Sequence, residues 1–169
     1  MNFSVTKNGK PLDPSLYSWD KKTRAFSTTE CELVLDFNNM NNITFNTGSG
    51  CTFKTGSDCT FKTGSYCTFD TGSCCTFDTS WDCTFKTGSH CTFKTGSDCT
   101  FKTGSYCVIV RRDVFEIIQP EPNVEIKLNQ FDIKGFEVVN KTHDIVIDGK
   151  KITISEESFN NLKRQLIEE

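Results

Sequence analysis

The segment Cys51-Thr52-Phe53-Lys54-Thr55-Gly56-Ser57-Asp58 is the first full copy of an octapeptide that runs without a gap to Cys107: CTFKTGSD, CTFKTGSY, CTFDTGSC, CTFDTSWD, CTFKTGSH, CTFKTGSD, CTFKTGSY. A short fixed period is the signature of a solenoid, in which each repeat stacks on its neighbours. Within one unit Cys51, Phe53 and Thr55 share a parity, and Thr52 and Lys54 have the other. Alternate side chains of a strand face opposite ways, so Cys and Phe are expected inside and Lys outside. Thr and Phe suit strands. Gly-Ser-Asp is turn chemistry, with Gly56 expected to supply positive φ and Asp58 to bond its own backbone. Each octad therefore reads as a five-residue strand and a three-residue corner. The predicted class is all-β, a parallel β-solenoid.

The expected core is a stack of Cys51, Cys59, Cys67, Cys75, Cys83, Cys91, Cys99 and Cys107 with Phe53, Phe61, Phe69, Phe77, Phe85, Phe93 and Phe101. Two octads per flat coil are preferred to three per triangular coil. Stacking sixteen residues apart aligns Lys62-Asp78-Lys94 and Lys54-Asp70-Lys86-Lys102, alternating charge in all but one step. Two facing sheets about 10 Å apart also leave a gap that phenylalanine fills.

Ten cysteines raise the question of disulfides. In a flat coil successive cysteines lie at opposite edges. Vertical neighbours stack about 4.8 Å apart with parallel Cβ vectors, which suits a disulfide poorly. The thiols are read as reduced and acting as small hydrophobes. The spacing is not CxxC, and evenly spaced ladders make no tetrahedral cage, so neither metal nor cofactor is expected. Cys74, in a corner beside Cys75, is the one candidate reactive thiol.

Net charge is −3, which argues against a general nucleic-acid or membrane-surface binder. No apolar run reaches 18 residues and the first residues lack signal-peptide character, so a cytoplasmic location is expected. Residues 1–34 read as an N-terminal cap, with a strand from Phe3 to Thr6, a turn at Lys7-Asn8-Gly9-Lys10, and the cluster Leu16-Tyr17-Ser18-Trp19 over the first coil. Residues 35–118 read as the solenoid, opening with degenerate octads in which Leu35 and Ile43 take the Cys slot. The outer face of Val108 and Val110 is expected to lie under the segment Val114 to Ile118. Residues 119–169 read as short strands, a hairpin turning at Asp148-Gly149 with Ile145 opposite Ile152, and a helix from Glu156 capped by Ser155. Phe159, Leu162 and Leu166 form an apolar stripe on that helix, with the hairpin or another subunit as its partner.

CTFKTGSYC running into VIVRRDVFEII resembles octapeptide-repeat proteins found among uncharacterised phage and virus-encoded sequences. The likeness covers roughly residues 30–118. It implies a β-solenoid and a viral or prophage source, with no assigned activity.

No nucleotide-binding glycine motif, HExxH or GxSxG is present, and His90 and Cys91 point to opposite faces, so no enzyme is expected. The eighth position varies through Gly50, Asp58, Tyr66, Cys74, Asp82, His90, Asp98 and Tyr106, and one corner carries Trp81. A fixed frame with variable corners suits a structural or interaction protein, host-associated or within a virion if viral. Tyr66, Trp81, His90, Tyr106, Phe159, Leu162 and Leu166 are the candidate contacts for a protein partner or a second copy. No nucleic-acid, membrane or small-molecule ligand is expected. The alternatives are a DNA-mimicking inhibitor of a host protein, which requires an acidic stripe, and an ice-binding face built on the outward threonines.

Overall fold

A computed structural model describes residues 3–38, 40–139, 142–147 and 150–167. It divides into two compact units, Met1–Glu137 and Val138–Glu169. The first is a β-solenoid of about five coils. Its strands are β1 (Ser4–Lys7), β2 (Lys10–Pro11), β3 (Ser18–Asp20), β4 (Ala25–Ser27), β5 (Leu33–Asp36), β6 (Thr44–Asn46), β7 (Thr52–Lys54), β8 (Thr60–Lys62), β9 (Thr68–Asp70), β10 (Thr76–Asp78), β11 (Thr84–Lys86), β12 (Thr92–Thr95), β13 (Thr100–Lys102), β14 (Val108–Arg111), β15 (Glu116–Ile118) and β16 (Glu125–Leu128). β17 (Phe136–Val139) lies across the unit boundary.

Two sheets alternate along the chain. One runs β2-β1-β5-β7-β9-β11-β13-β16-β17 and the other β3-β4-β6-β8-β10-β12-β14-β15. In the repeats, strands pair in parallel at an offset of sixteen, Thr60 with Thr76 and Phe85 with Phe101, so a coil is two octads. The charge columns have the expected register. Within them the Lys86–Asp70 pair stands at 3.8 Å and is well exposed, while Asp78 is taken by Arg112 at 2.8 Å.

All fifteen residues of the expected core stack are at most 2% exposed. Rings of one sheet stack nearly flat, as in Phe53–Phe69 at 5.0 Å and 3°. Rings of opposing sheets meet edge to face, as in Phe61–Phe69 at 5.2 Å and 73°. Each ring thus makes both favoured aromatic geometries with its neighbours. The thiols remain free. Each repeat thiol also contacts corner carbonyls: Cys75 Sγ lies 3.5 Å from Ser73 O and 3.7 Å from Gly56 O one coil below. The slot thus suits a small apolar side chain that carries a weak donor.

The corners differ from expectation in two respects: most repeat strands are three residues long, not five, so the corner between them spans five residues, and the glycine is not the left-handed residue. Positive φ falls on the eighth residue, not on the glycine: Asp58, Tyr66, Cys74, Asp82, His90, Asp98 and Tyr106 all lie between 54° and 61°. Gly56 and its repeat counterparts after it have ordinary φ. At Gly64, Gly72, Gly88 and Gly104 the glycine is there for space. Ser Oγ of one coil accepts from the serine N–H of the next, as in Ser73 N to Ser57 Oγ at 3.0 Å, and a Cβ on Gly72 would overlap that Oγ. Asn41 Oδ1 fills the serine role for Ser57 N at 2.8 Å.

The ladder begins earlier than the octads suggest, at β4, where Ala25 pairs with Thr44 and Phe26 with Phe45. Leu35 pairs with Phe53, which corrects its slot from Cys to Phe. The first coils carry extra corner residues, and these shift the phase. Ile43 precedes Thr44, the partner of Thr60, and so holds the Cys59 slot as expected. At the N-terminal end β1 pairs antiparallel with β5, and β3 with β4. Asn8 (φ 52°) and Gly9 (φ 74°) make the β1–β2 turn, the backbone pattern of a type I′ hairpin. Tyr17 stacks on Phe26 at 5.3 Å and Phe3 on Phe37 at 4.3 Å, covering the first coil.

At the other end β15 pairs antiparallel with β14, and β16 with β13. The segment Val114 to Ile118 therefore extends the sheet edge. It does not lie over the Val108–Val110 face, because Ile109 opposite Ile118 keeps both strands in one inner layer.

The second unit holds a hairpin of β18 (Thr142–Ile147) and β19 (Lys150–Ser155) and the helix α1 (Glu156–Ile167). Ile145 pairs with Ile152 as expected. The Asp148-Gly149 turn and the side chain of Ser155 lie outside the described residues.

Candidate interaction surface

Because the eighth residue of each corner is left-handed, its side chain leaves the coil at a fixed angle, repeated at the strand spacing of about 4.8 Å. Sixteen-residue stacking sorts these residues into two columns. One contains Gly50, Tyr66, Asp82 and Asp98, with Trp81 beside it. The other contains Asp58, Cys74, His90 and Tyr106. Tyr66 N donates to Trp81 O at 3.2 Å, so these aromatics stand on successive coils, 62% and 52% exposed. On the other edge the His90 and Tyr106 rings lie 5.0 Å apart, and Tyr106 is 80% exposed. The four solenoid contacts expected from the sequence thus form two pairs on opposite edges.

The corner with Trp81 is rebuilt. Trp81 takes the serine slot and Ser80 the glycine slot. Ser80 O then accepts from Thr95 Oγ1 at 2.7 Å and Gly96 N at 2.9 Å. Thr79 Oγ1 donates to Thr95 Oγ1 at 3.1 Å inside the coil. Arg112 braces this corner from two coils away, through Asp78 and the carbonyl of Thr79.

Tyr106 also lines a cleft of about 550 Å³ with Val108, Pro120 and Pro122. The half-buried Val108 faces this cleft, which accounts for an apolar residue at an outward position. Cys74 is exposed, and stacking places it one coil from His90, since Cys74 N donates to Ser89 O at 2.9 Å. Linear spacing hides that proximity. Among the described residues no group of three or more His, Cys, Asp or Glu side chains is placed to hold a metal.

In the second unit Phe159 stacks on His143 at 3.9 Å and 13°, and Lys163 Nζ lies 5.6 Å from the Phe159 ring centre. The hairpin is therefore a partner of the helix stripe. Leu162 stays exposed. The side chain of Leu166 lies outside the described residues.

Two features escaped the sequence reading. The first is a buried charge cluster at the C-terminal cap. Arg111, fully buried, donates to both Asp113 carboxylate oxygens and to the carbonyls of Gln130, Ile133 (2.7 Å) and Gly135. Glu116 accepts from Gly135 N at 2.9 Å. Parity was the available signal, because Arg111 follows Cys107 and Ile109 on the inward side. The second is the apolar surface of the same cap, with Phe115 93% and Ile117 71% exposed and Phe131 and Ile133 also exposed.

Among the described residues no helix is long and apolar enough to cross a membrane. Comparison of the chain with protein families, curated proteins and solved structures returned no match.

Proposed function

We propose that this chain is a non-enzymatic interaction protein: a rigid β-solenoid that presents variable corner residues to a protein partner or to a second copy of itself, as an accessory or virion component of a virus or prophage. The observation that carries this reading is the contrast within each octad. Positions that build the coil repeat nearly unchanged, whereas the exposed left-handed eighth position changes from coil to coil. Large aromatics at exposed, conformationally fixed sites are the side chains that dominate protein interfaces. Exposed Lys54, Lys62, Lys86, Lys94 and Lys102 favour this reading over a DNA-mimicking inhibitor, which requires an acidic face.

The test compares the wild-type chain with a variant carrying Tyr66→Asp, Trp81→Asp, His90→Asp and Tyr106→Asp. Light scattering over rising concentration reads self-association, and cross-linking against host or virion proteins reads a partner. Loss of the assembly with an unchanged melting temperature supports the proposal. Assembly equal in both chains, or in neither, overturns it.

A further inference from the structure

The thiols form two columns, Cys51-Cys67-Cys83-Cys99 and Cys59-Cys75-Cys91-Cys107, enclosed in the core at 0–2% exposure. Successive members belong to strands in direct parallel register. Ring centres on those strands repeat at 4.8–5.0 Å. The hydrogen-bond pattern repeats with them. From Cys67 onward each Sγ meets the carbonyl nineteen residues back, at 3.7 Å for Cys67, 3.6 Å for Cys83 and 3.8 Å for Cys99. This shared contact places the sulfurs at close to the coil interval, with Cys99 differing in its 3.0 Å contact to Thr95 Oγ1. Buried Leu33 and Leu128 close the first column, and buried Ile43 closes one end of the second.

We propose that vertical thiol pairs are binding sites for soft d10 cations that favour two collinear thiolates, the class of Cu(I), Ag(I) and Hg(II). Two metal–sulfur bonds of about 2.3 Å each span nearly the whole interval between stacked sulfurs. The stacking direction is also close to perpendicular to the Cα–Cβ direction, because side chains stand out from the sheet while coils stack within it. A cation midway between two sulfurs then approaches each thiolate from the side, where its lone pairs lie.

Thiolates select soft cations. Zinc needs about four ligands, and no cluster of three or more is placed to hold a metal among the described residues. Charge balance favours the site as well. Hg(II) and two thiols give a neutral dithiolate and release two protons to solvent; Cu(I) or Ag(I) takes one thiolate and one neutral thiol and releases one proton, so in either case the core carries no net charge. With one cation per pair the sites are Cys51/Cys67, Cys83/Cys99, Cys59/Cys75 and Cys91/Cys107.

The experiment uses the full chain with Cys31→Ser and Cys74→Ser, which removes the exposed thiols, and Hg(II) as the probe. Native mass spectrometry reads stoichiometry, circular dichroism the sheet, and X-ray absorption the ligand shell. The expected result is four Hg(II) per chain, each with two sulfur neighbours, an intact sheet signal and a raised melting temperature. Adding Cys67→Ser and Cys99→Ser, which leaves no vertical pair in the first column, lowers the stoichiometry to two. Should that variant not fold, Cys107→Ser alone, in the last coil, lowers it to three. Folded chain that retains no Hg(II), uptake only with loss of the sheet signal, or a shell of three or more sulfurs overturns the proposal.

Discussion

A Cβ at Gly88 would overlap Ser73 Oγ and stand 2.9 Å from Ser73 N, whereas a Cβ at Gly96 would meet nothing closer than 3.5 Å. Trp81, in the serine slot below Gly96, makes that difference. Gly88→Ala is expected to cost about 1–3 kcal/mol by overpacking. Gly96→Ala should be neutral or stabilising by up to about 1 kcal/mol, through the narrower unfolded chain. Urea titration of both variants decides the point, and equal losses would show that space is not the reason for glycine. The eighth position calls for the opposite substitution. Tyr66 is left-handed at φ 60°, a region that is costly for side chains and most costly for β-branched ones. Tyr66→Gly is expected to hold or raise stability, and Tyr66→Val to lower it by about 1–2 kcal/mol. An inverted order in denaturant midpoints would refute the backbone argument. From one sequence the turn residues were legible as a set, but not their division of labour. Gly and Asp both suit positive φ, and what the glycine is needed for depends on the serine of the coil below, fifteen residues back.

The β14–β15 edge carries Arg111, among the described residues the one fully buried charged side chain, paired with Asp113. Removing one member of a buried pair strands the other, at a cost of about 3–5 kcal/mol. Asp113→Asn is therefore expected to destabilise the chain by that order and to make the Gln130–Gly135 loop sensitive to protease, since Arg111 anchors that loop. Asp70→Asn breaks the exposed pair with Lys86 and should cost less than about 1 kcal/mol. Comparable losses from the two variants would mean that the cap cluster is not holding the loop. At this scale the strand frame followed from period and parity, the sixteen-residue coil from the charge columns and the gap that phenylalanine fills, and the Ile145–Ile152 register from the Asp148-Gly149 turn signal. The phase of β5 and the edge pairing of β15 did not. Two extra corner residues between Asp36 and Thr44 and a tight turn at Arg112–Phe115 move the register without leaving a trace in the alternation.

For the first unit as a whole, the thiol columns set a limit in alkali. Hydrogen bonds between stacked thiols raise Cys51 and Cys75 while they lower Cys59, Cys91 and Cys99, so they offset along the columns, whereas burial raises every one of these thiols and is the largest cause at Cys107. Below about pH 8.5, the ordinary thiol value, folded and unfolded chains are both protonated at these groups and the stability is fully present. Above it the unfolded chain releases protons that the folded chain keeps, so stability falls as pH rises, by up to about 1.4 kcal/mol per pH unit for each such thiol. Denaturant midpoints measured from pH 7 to 10 in reductant should drop steadily past pH 8.5. A flat profile would mean that the thiols ionise equally in both states. The closing strands carry a different consequence. The N-terminal cap seats β1 on one sheet and β3 on the other, and the C-terminal cap seats β16 and β15 in the same way. Recombination between identical octads in the gene can therefore lengthen or shorten the molecule one octad at a time, because each cap pairs only with the two strands next to it; a single added octad turns the C-terminal cap by half a coil about the rod. Insertions between Asp78 and Arg112 would part that ion pair, so copy number in this lineage is expected to drift on the N-terminal side of Asp78.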